Sequence, residues 1–161
     1  VNYLCAYLVS LPPIYCFTIF IHELPVTIRR KIAMESCPFC SPQIYRYENI
    51  VLENELCLFI SQPQPVLIGS GLIVPCAHRE TSFDLTAAEW QATHSLLHEV
   101  KELIDRTYEP SGYNIGWNCG SVAGQHTFHS HLHVIPRYAD EPYAGRGIRS
   151  WLKREENKRP E

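Results

Sequence analysis

The sequence predicts an α+β domain: an antiparallel sheet of about five strands carrying one long helix and a short second helix. Three observations carry the strands and the long helix. Short apolar runs recur between Ile50 and Ile60 and again at Gly71–Val74, each bounded by proline or polar turn residues. A stretch of helical period begins at a capping signal, Thr86, and continues to about Tyr108. Two further strand-like segments follow, separated by a turn that opens and closes on glycine.

Taken in order, Glu35 to Gln43 is punctuated by proline and cysteine and reads as a knuckle rather than a helix. Ile50-Val51-Leu52 and Leu56-Cys57-Leu58-Phe59-Ile60 flank a polar Glu53-Asn54-Glu55 and predict a hairpin. Gln62-Pro63-Gln64-Pro65 is a loop, because two prolines at alternate positions deny ladder hydrogen bonds. Gly71-Leu72-Ile73-Val74 is a short buried strand stopped by Pro75. Thr86 and Glu89 form a capping box, in which hydroxyl and carboxylate satisfy free backbone amides. Leu96, Leu97, Val100, Leu103 and Ile104 are the buried stripe of the helix that follows, and Glu109-Pro110-Ser111-Gly112 ends it. Tyr113 to Cys119 is a strand, Gly120 to Gly124 a turn, and His129 to Ile135 the last strand. The tail ends in a charged stretch expected to fray. No internal repeat is seen.

The chain has 161 residues, and its only methionine is Met34. Residues 1–33 carry a net +2 and residues 34–161 a net −5. The longer part suits one domain with a real core. The overall charge of −3 gives no electrostatic basis for holding a nucleic-acid backbone, so no nucleic-acid partner is expected. Seven cysteines at irregular spacing make a poor disulfide framework, and a reducing, cytoplasmic location is expected. Residues 1–21 bear no charge and Arg29-Arg30-Lys31 follow them, the outline of a membrane anchor. Pro12-Pro13 would break such a helix, and no basic residue precedes the run as a signal peptide needs. The preferred reading takes 1–33 as a doubtful extension with the native start at Met34. A membrane is an expected partner only if 1–33 is native. The domain is expected over 34–145, with 146–161 a tail.

Four of the eight histidines lie after position 125, and His129, His131 and His133 alternate. In a strand this puts all three on one face, with Ser130, Leu132 and Val134 on the other. Such a row can bind a metal, or one ring can act as nucleophile or base while its neighbours orient it. His94 and His98 are one helical turn apart but off the apolar stripe, and read as a solvated helix face. Cys37-Pro38-Phe39-Cys40 has the spacing of a metal half-site or a redox pair, or is simply packed. Cys57, Cys76 and Cys119 read as small buried hydrophobes, with Cys76 in reserve as a ligand.

The run Gly124-Gln125-His126-Thr127-Phe128-His129-Ser130-His131-Leu132-His133-Val134-Ile135-Pro136-Arg137 resembles the signature of the histidine triad family. Cys37–Cys40, Gly71–Pro75 with His78, and Tyr113 to Gly120 fall in the family's order, so the resemblance spans about Glu35 to Tyr138. The ending Val134-Ile135-Pro136-Arg137 is more similar to the hydrolase branch that includes the fragile histidine triad proteins.

The resemblance implies the histidine triad fold and a homodimer paired through the helix and a sheet edge. It implies a nucleotide hydrolase acting on diadenosine polyphosphates or a related phosphoanhydride or phosphoramidate. A nucleotidyl transferase and a zinc-stabilised nucleotide-binding module are its alternatives. His131 would attack the α-phosphorus, its other ring nitrogen held by a backbone carbonyl, and His133 would stabilise developing charge. Gln125 would contact phosphates, Asn118 the substrate, and Gln62 the ribose. A structural zinc would fall to Cys37, Cys40, His78 and His129. Two positions depart from the pattern: Ser70 stands where many members carry a histidine, and His126 where a small hydroxyl residue is common.

Overall fold

The computed structural model describes residues 36–40 and 49–160. Residues 1–33, and with them the expectation of an extension or anchor, lie outside the described residues. So does His22.

The strands are β1 (Ile50–Glu53), β2 (Cys57–Ser61), β3 (Gly71–Pro75), β4 (Gly112–Gly116) and β5 (Leu132–Arg137). The helices are α1 (Ala87–Tyr108) and the short α2 (Ile148–Leu152). The sheet runs β1-β2-β3-β5-β4 and is antiparallel at every step. This is the predicted fold class. The β1–β2 turn closes on Asn54, whose Oδ1 accepts from the backbone N–H groups of Leu56 and Cys57 at 3.1 and 2.9 Å. The Asn54 amide also donates to the Ala92 carbonyl at 2.8 Å, tying the hairpin to α1.

Both faces of the central strands are covered, which explains their unbroken apolar runs. On one face Cys57, Phe59, Ile73, Leu132 and Val134 pack with Leu96, Val100 and Ile104 of α1. Leu97 is half-buried against the same cluster. On the other face Leu58, Ile60, Leu72 and Val74 meet Ile50 and Phe39. Gly71 permits the close approach of the Phe59 ring, since a Cβ there would lie 2.4 Å from it.

Two strand limits differ from expectation. β5 begins at Leu132, so His129, Ser130 and His131 precede it. The ladder stops because its groups have other partners. Pro75 has no N–H to give, and its carbonyl takes the His129 ring, while the Ser130 N–H donates to the Arg79 carbonyl at 2.5 Å. β4 ends at Gly116, and Trp117 leaves the sheet to pack on Trp90 of α1 with ring centres 5.0 Å apart. Trp117 is therefore on the helix side.

The tail contains α2 and a 3-10 turn at Glu155–Asn157. Before it, Arg137 Nη2 holds the Tyr143 carbonyl at 2.9 Å and Nη1 the Arg146 carbonyl at 3.1 Å. Arg137 also pairs with Glu141, its Nε donating at 2.6 Å.

The predicted capping box forms: Thr86 accepts from the Glu89 N–H, and Glu89 accepts from the Thr86 N–H at 2.7 Å. The same carboxylate receives Arg79 Nε at 2.9 Å, although Glu89 is only 4% exposed. Burial raises the Glu89 pKa, but hydrogen bonds from Arg79 and Thr86 outweigh it and the net shift is down. A carboxyl lowered by folding stabilises fully above its unfolded value of 4.5, and the contribution is lost as pH falls through the folded value. Glu89→Ala removes a cap and strands Arg79, so a loss of about 3 kcal/mol is expected in urea unfolding at neutral pH. The gap between variant and parent should narrow as the medium is acidified below the ordinary carboxylate range.

Candidate active site and metal centre

The site lies on the sheet face opposite α1. His133 is the register partner of Leu72, and so shares that face. The His131 and His133 rings are 4.9 Å apart. His131 Nδ1 lies 2.7 Å from the His129 carbonyl. That acceptor fixes the proton on Nδ1 and leaves Nε2 with a free lone pair, as a nucleophile requires. Burial, then the charge of His131, lowers the His133 pKa, which favours a neutral ring. Among the described residues, His133 Nε2 is buried without a hydrogen-bond partner.

Cys37, Cys40, His78 and His129 converge, their ligand atoms all within 4.8 Å of one another. His129 Nδ1 lies 3.4 Å from Cys37 Sγ and 3.7 Å from Cys40 Sγ, and His78 Nδ1 lies 3.2 Å from Cys40 Sγ. His129 Nε2 is 2.9 Å from the Pro75 carbonyl, which places the proton there and turns the Nδ1 lone pair toward the thiols. Burial, with smaller contributions from His78 and His131, lowers the His129 pKa to about 4, so its ring is neutral and able to ligate. Burial, then Cys37, pushes the Cys40 thiol up to about 12. A cation among these groups would reverse that preference and favour thiolate. Two sulfurs and two imidazole nitrogens at this spacing fit a tetrahedral metal. The redox reading of Cys37 and Cys40 leaves the two histidines without a purpose. Cys76 is exposed and outside the cluster, against both its reserve role and its expected burial. Cys57 is buried in the helix-side core, and Cys119 is half-buried with its Sγ 3.3 Å from Ser82 Oγ.

A cleft of about 410 Å³ opens beside the triad, lined in part by Phe39, Ile60, Gln62, Gln64, Leu72 and Thr127. Phe39 joins cleft, metal cluster and triad, its ring centre 5.8 Å from those of both His129 and His131. Its place inside Cys37–Cys40 was the signal that could have marked it. Gln62 lines the cleft, and Gln125 does not. Gln125 is 1% exposed, and its amide is spent on backbone: Oε1 accepts from the Gly120 N–H at 2.7 Å, and Nε2 donates to the Glu80 carbonyl at 2.6 Å. Gln125 thus holds the loop here and offers no amide to a phosphate. Asn118 is exposed beside Gly124, where a Cβ would lie 3.6 Å from its Nδ2, and does not line the cleft. Ser70 is buried, with Gln64 Nε2 3.5 Å from its hydroxyl, and His126 is exposed. Sequence reading missed the frame behind the site. Arg79 pairs with Glu89 of α1, its carbonyl accepts from Ser130, and the neighbouring Glu80 carbonyl accepts from Gln125. No local pattern signals a carbonyl's partner.

The sequence pattern of the HIT domain matches residues 44–140. The chain belongs to the HIT family. An uncharacterised HIT-like protein of Mycoplasma genitalium is 33% identical over 132 residues, covering 79% of this chain and 92% of that protein. The adenylylsulfatase HINT3 of Arabidopsis thaliana is 33% identical over 113 residues, covering 68% of this chain and 56% of its own length. Among solved structures, a HIT family protein of Bacillus anthracis superposes with a TM-score of 0.60 at 32% identity, covering 66% of this chain and 76% of that one. Among the described residues of this HIT protein, no helix is long and apolar enough to cross a membrane.

If the Cys/His cluster is the metal centre, the chain should retain close to one equivalent of transition metal after a mild chelating wash. Cys37→Ser and Cys40→Ser should each lower that content at least about tenfold, read by elemental analysis.

Proposed function

We propose that this HIT protein hydrolyses a nucleoside phosphoanhydride or phosphoramidate, of the diadenosine polyphosphate kind, through a nucleotidyl intermediate on His131. The observation that carries the reading is the 2.7 Å contact from His131 Nδ1 to the His129 carbonyl. It orients the ring and keeps Nε2 unprotonated. In the first step the Nε2 lone pair forms a bond to the α-phosphorus and the bond to the leaving group breaks. In the second, water attacks the same phosphorus, the imidazole departs with its electron pair, and a proton of that water passes to solvent. His133 Nε2, buried and without a hydrogen-bond partner among the described residues, would donate to a non-bridging phosphate oxygen. The cleft that holds Gln62 and Phe39 would take the nucleoside. The name of the Arabidopsis relative, an adenylylsulfatase, supports an adenylyl-transferring chemistry.

The metal fitting the cluster best is zinc, in a structural role, because four protein ligands leave no open position for substrate. His129 would serve both centres, ligating through Nδ1 and orienting His131 through its carbonyl. A homodimer is part of the proposal, since β4 is an edge strand with Ile115 exposed on it. A cytoplasmic location is proposed with it.

His131→Asn should lower turnover of diadenosine polyphosphates by at least about 10³-fold while leaving nucleotide binding and thermal unfolding near the parent. A fully active variant would sink the mechanism. His133→Ala should lower kcat by about 10²-fold with a smaller change in KM, measured in steady-state kinetics. Adding inorganic phosphate separates hydrolysis from transfer: a nucleoside diphosphate formed from the transferred nucleotide marks the transferase.

A further inference from the structure

The helix face turned from the sheet carries a pair that the triad chemistry does not use. His94 and His98 are four residues apart on α1, and both are exposed. That spacing puts side chains on one face, one turn apart. Being exposed does not require two rings to meet, yet these do. Their centres are 4.6 Å apart at an interplanar angle of 70°, and their Nε2 atoms are 3.3 Å apart.

That separation has a chemical meaning. Imidazole nitrogens bind zinc at about 2.0–2.1 Å, so two of them at a tetrahedral angle stand about 3.3–3.4 Å apart. The His94–His98 pair already has the bite of a chelate. Without a cation, the contact needs one ring to present N–H to the other. With both protons on Nδ1, two lone pairs face each other, and a cation between them removes the repulsion.

We propose that His94 and His98 form a second metal site, exposed on α1, for a divalent ion of the zinc, nickel and copper class. The donors select that class, since imidazole suits these ions and magnesium or calcium would need oxygen ligands. Two protein ligands leave the other positions to water, so the ion exchanges readily, unlike one enclosed by Cys37, Cys40, His78 and His129. Glu102, exposed one turn beyond His98, adds negative charge along the helix. The site lies on the helix that covers the sheet face opposite the triad, so it is separate from the nucleotide cleft.

Nickel is the probe. The purified full chain is titrated with Ni²⁺ by calorimetry, and paramagnetic broadening of backbone amide signals locates the ion. Broadening centred on residues 91–101 is expected, with binding at this site weakened at least about tenfold by either His94→Ala or His98→Ala, and that broadening lost in the double variant. Alanine is the strongest helix former, so α1 should persist, as far-UV circular dichroism will show. Turnover of a dinucleotide polyphosphate should be unchanged. A double variant that binds nickel like the parent, or broadening centred only on Cys37, Cys40 and His129, would overturn the proposal.

Discussion

Every part of the site passes through His129. Its Nδ1 faces the two thiols, its Nε2 meets the Pro75 carbonyl, and its own carbonyl orients His131. These three contacts need the residue off the regular ladder. A histidine inside β5 would give its carbonyl to a neighbouring strand and would have none to spare for a ring. The early end of the β3–β5 pairing is thus the condition for this arrangement. Pro75 helps to set that end, because it has no N–H to continue the ladder.

The frame that holds this arrangement is long-range. Arg79 reaches α1 through Glu89, and its backbone carbonyl holds Ser130 between two members of the triad. Gln125 fastens the preceding loop to Glu80. The helix therefore supports the active face from behind the sheet without touching it. A buried carboxylate serving at once as cap and ion-pair partner is a costly group to leave unpaired, which gives the frame its rigidity.

The fold was legible because its signals are local. Thr86 and Glu89 announce the start of α1, Pro75 the stop of β3, and Asn54 the first turn. Spacing marked Cys37 and Cys40 as a half-site, but the full Cys/His cluster was legible only through resemblance, since Cys37 and His129 stand 92 positions apart. Alternation put the three histidines on a common face for the wrong reason: it assumed a strand through His129 where there is a bend. Gln125 shows the opposite failure. The residue sits in the family's motif, yet its amide is fully engaged by backbone, and hydrogen-bond partners distant in sequence cannot be read from a motif. Trp117 left its strand because a neighbouring indole, Trp90, competes for it.

The order β1-β2-β3-β5-β4 puts β5 inside the sheet, with a strand on either side, while β1 and β4 are the edges. Local opening of a sheet begins at its edges, and interior strands open last. His133 thus rides on backbone that separates only when the domain approaches global unfolding. The cleft wall at Gln62 to Gln64 is exposed loop and can fluctuate far more cheaply. The molecule joins a slowly exchanging chemical floor to a compliant rim. Ligands of different size would be met at the rim without disturbing His133 on the interior strand.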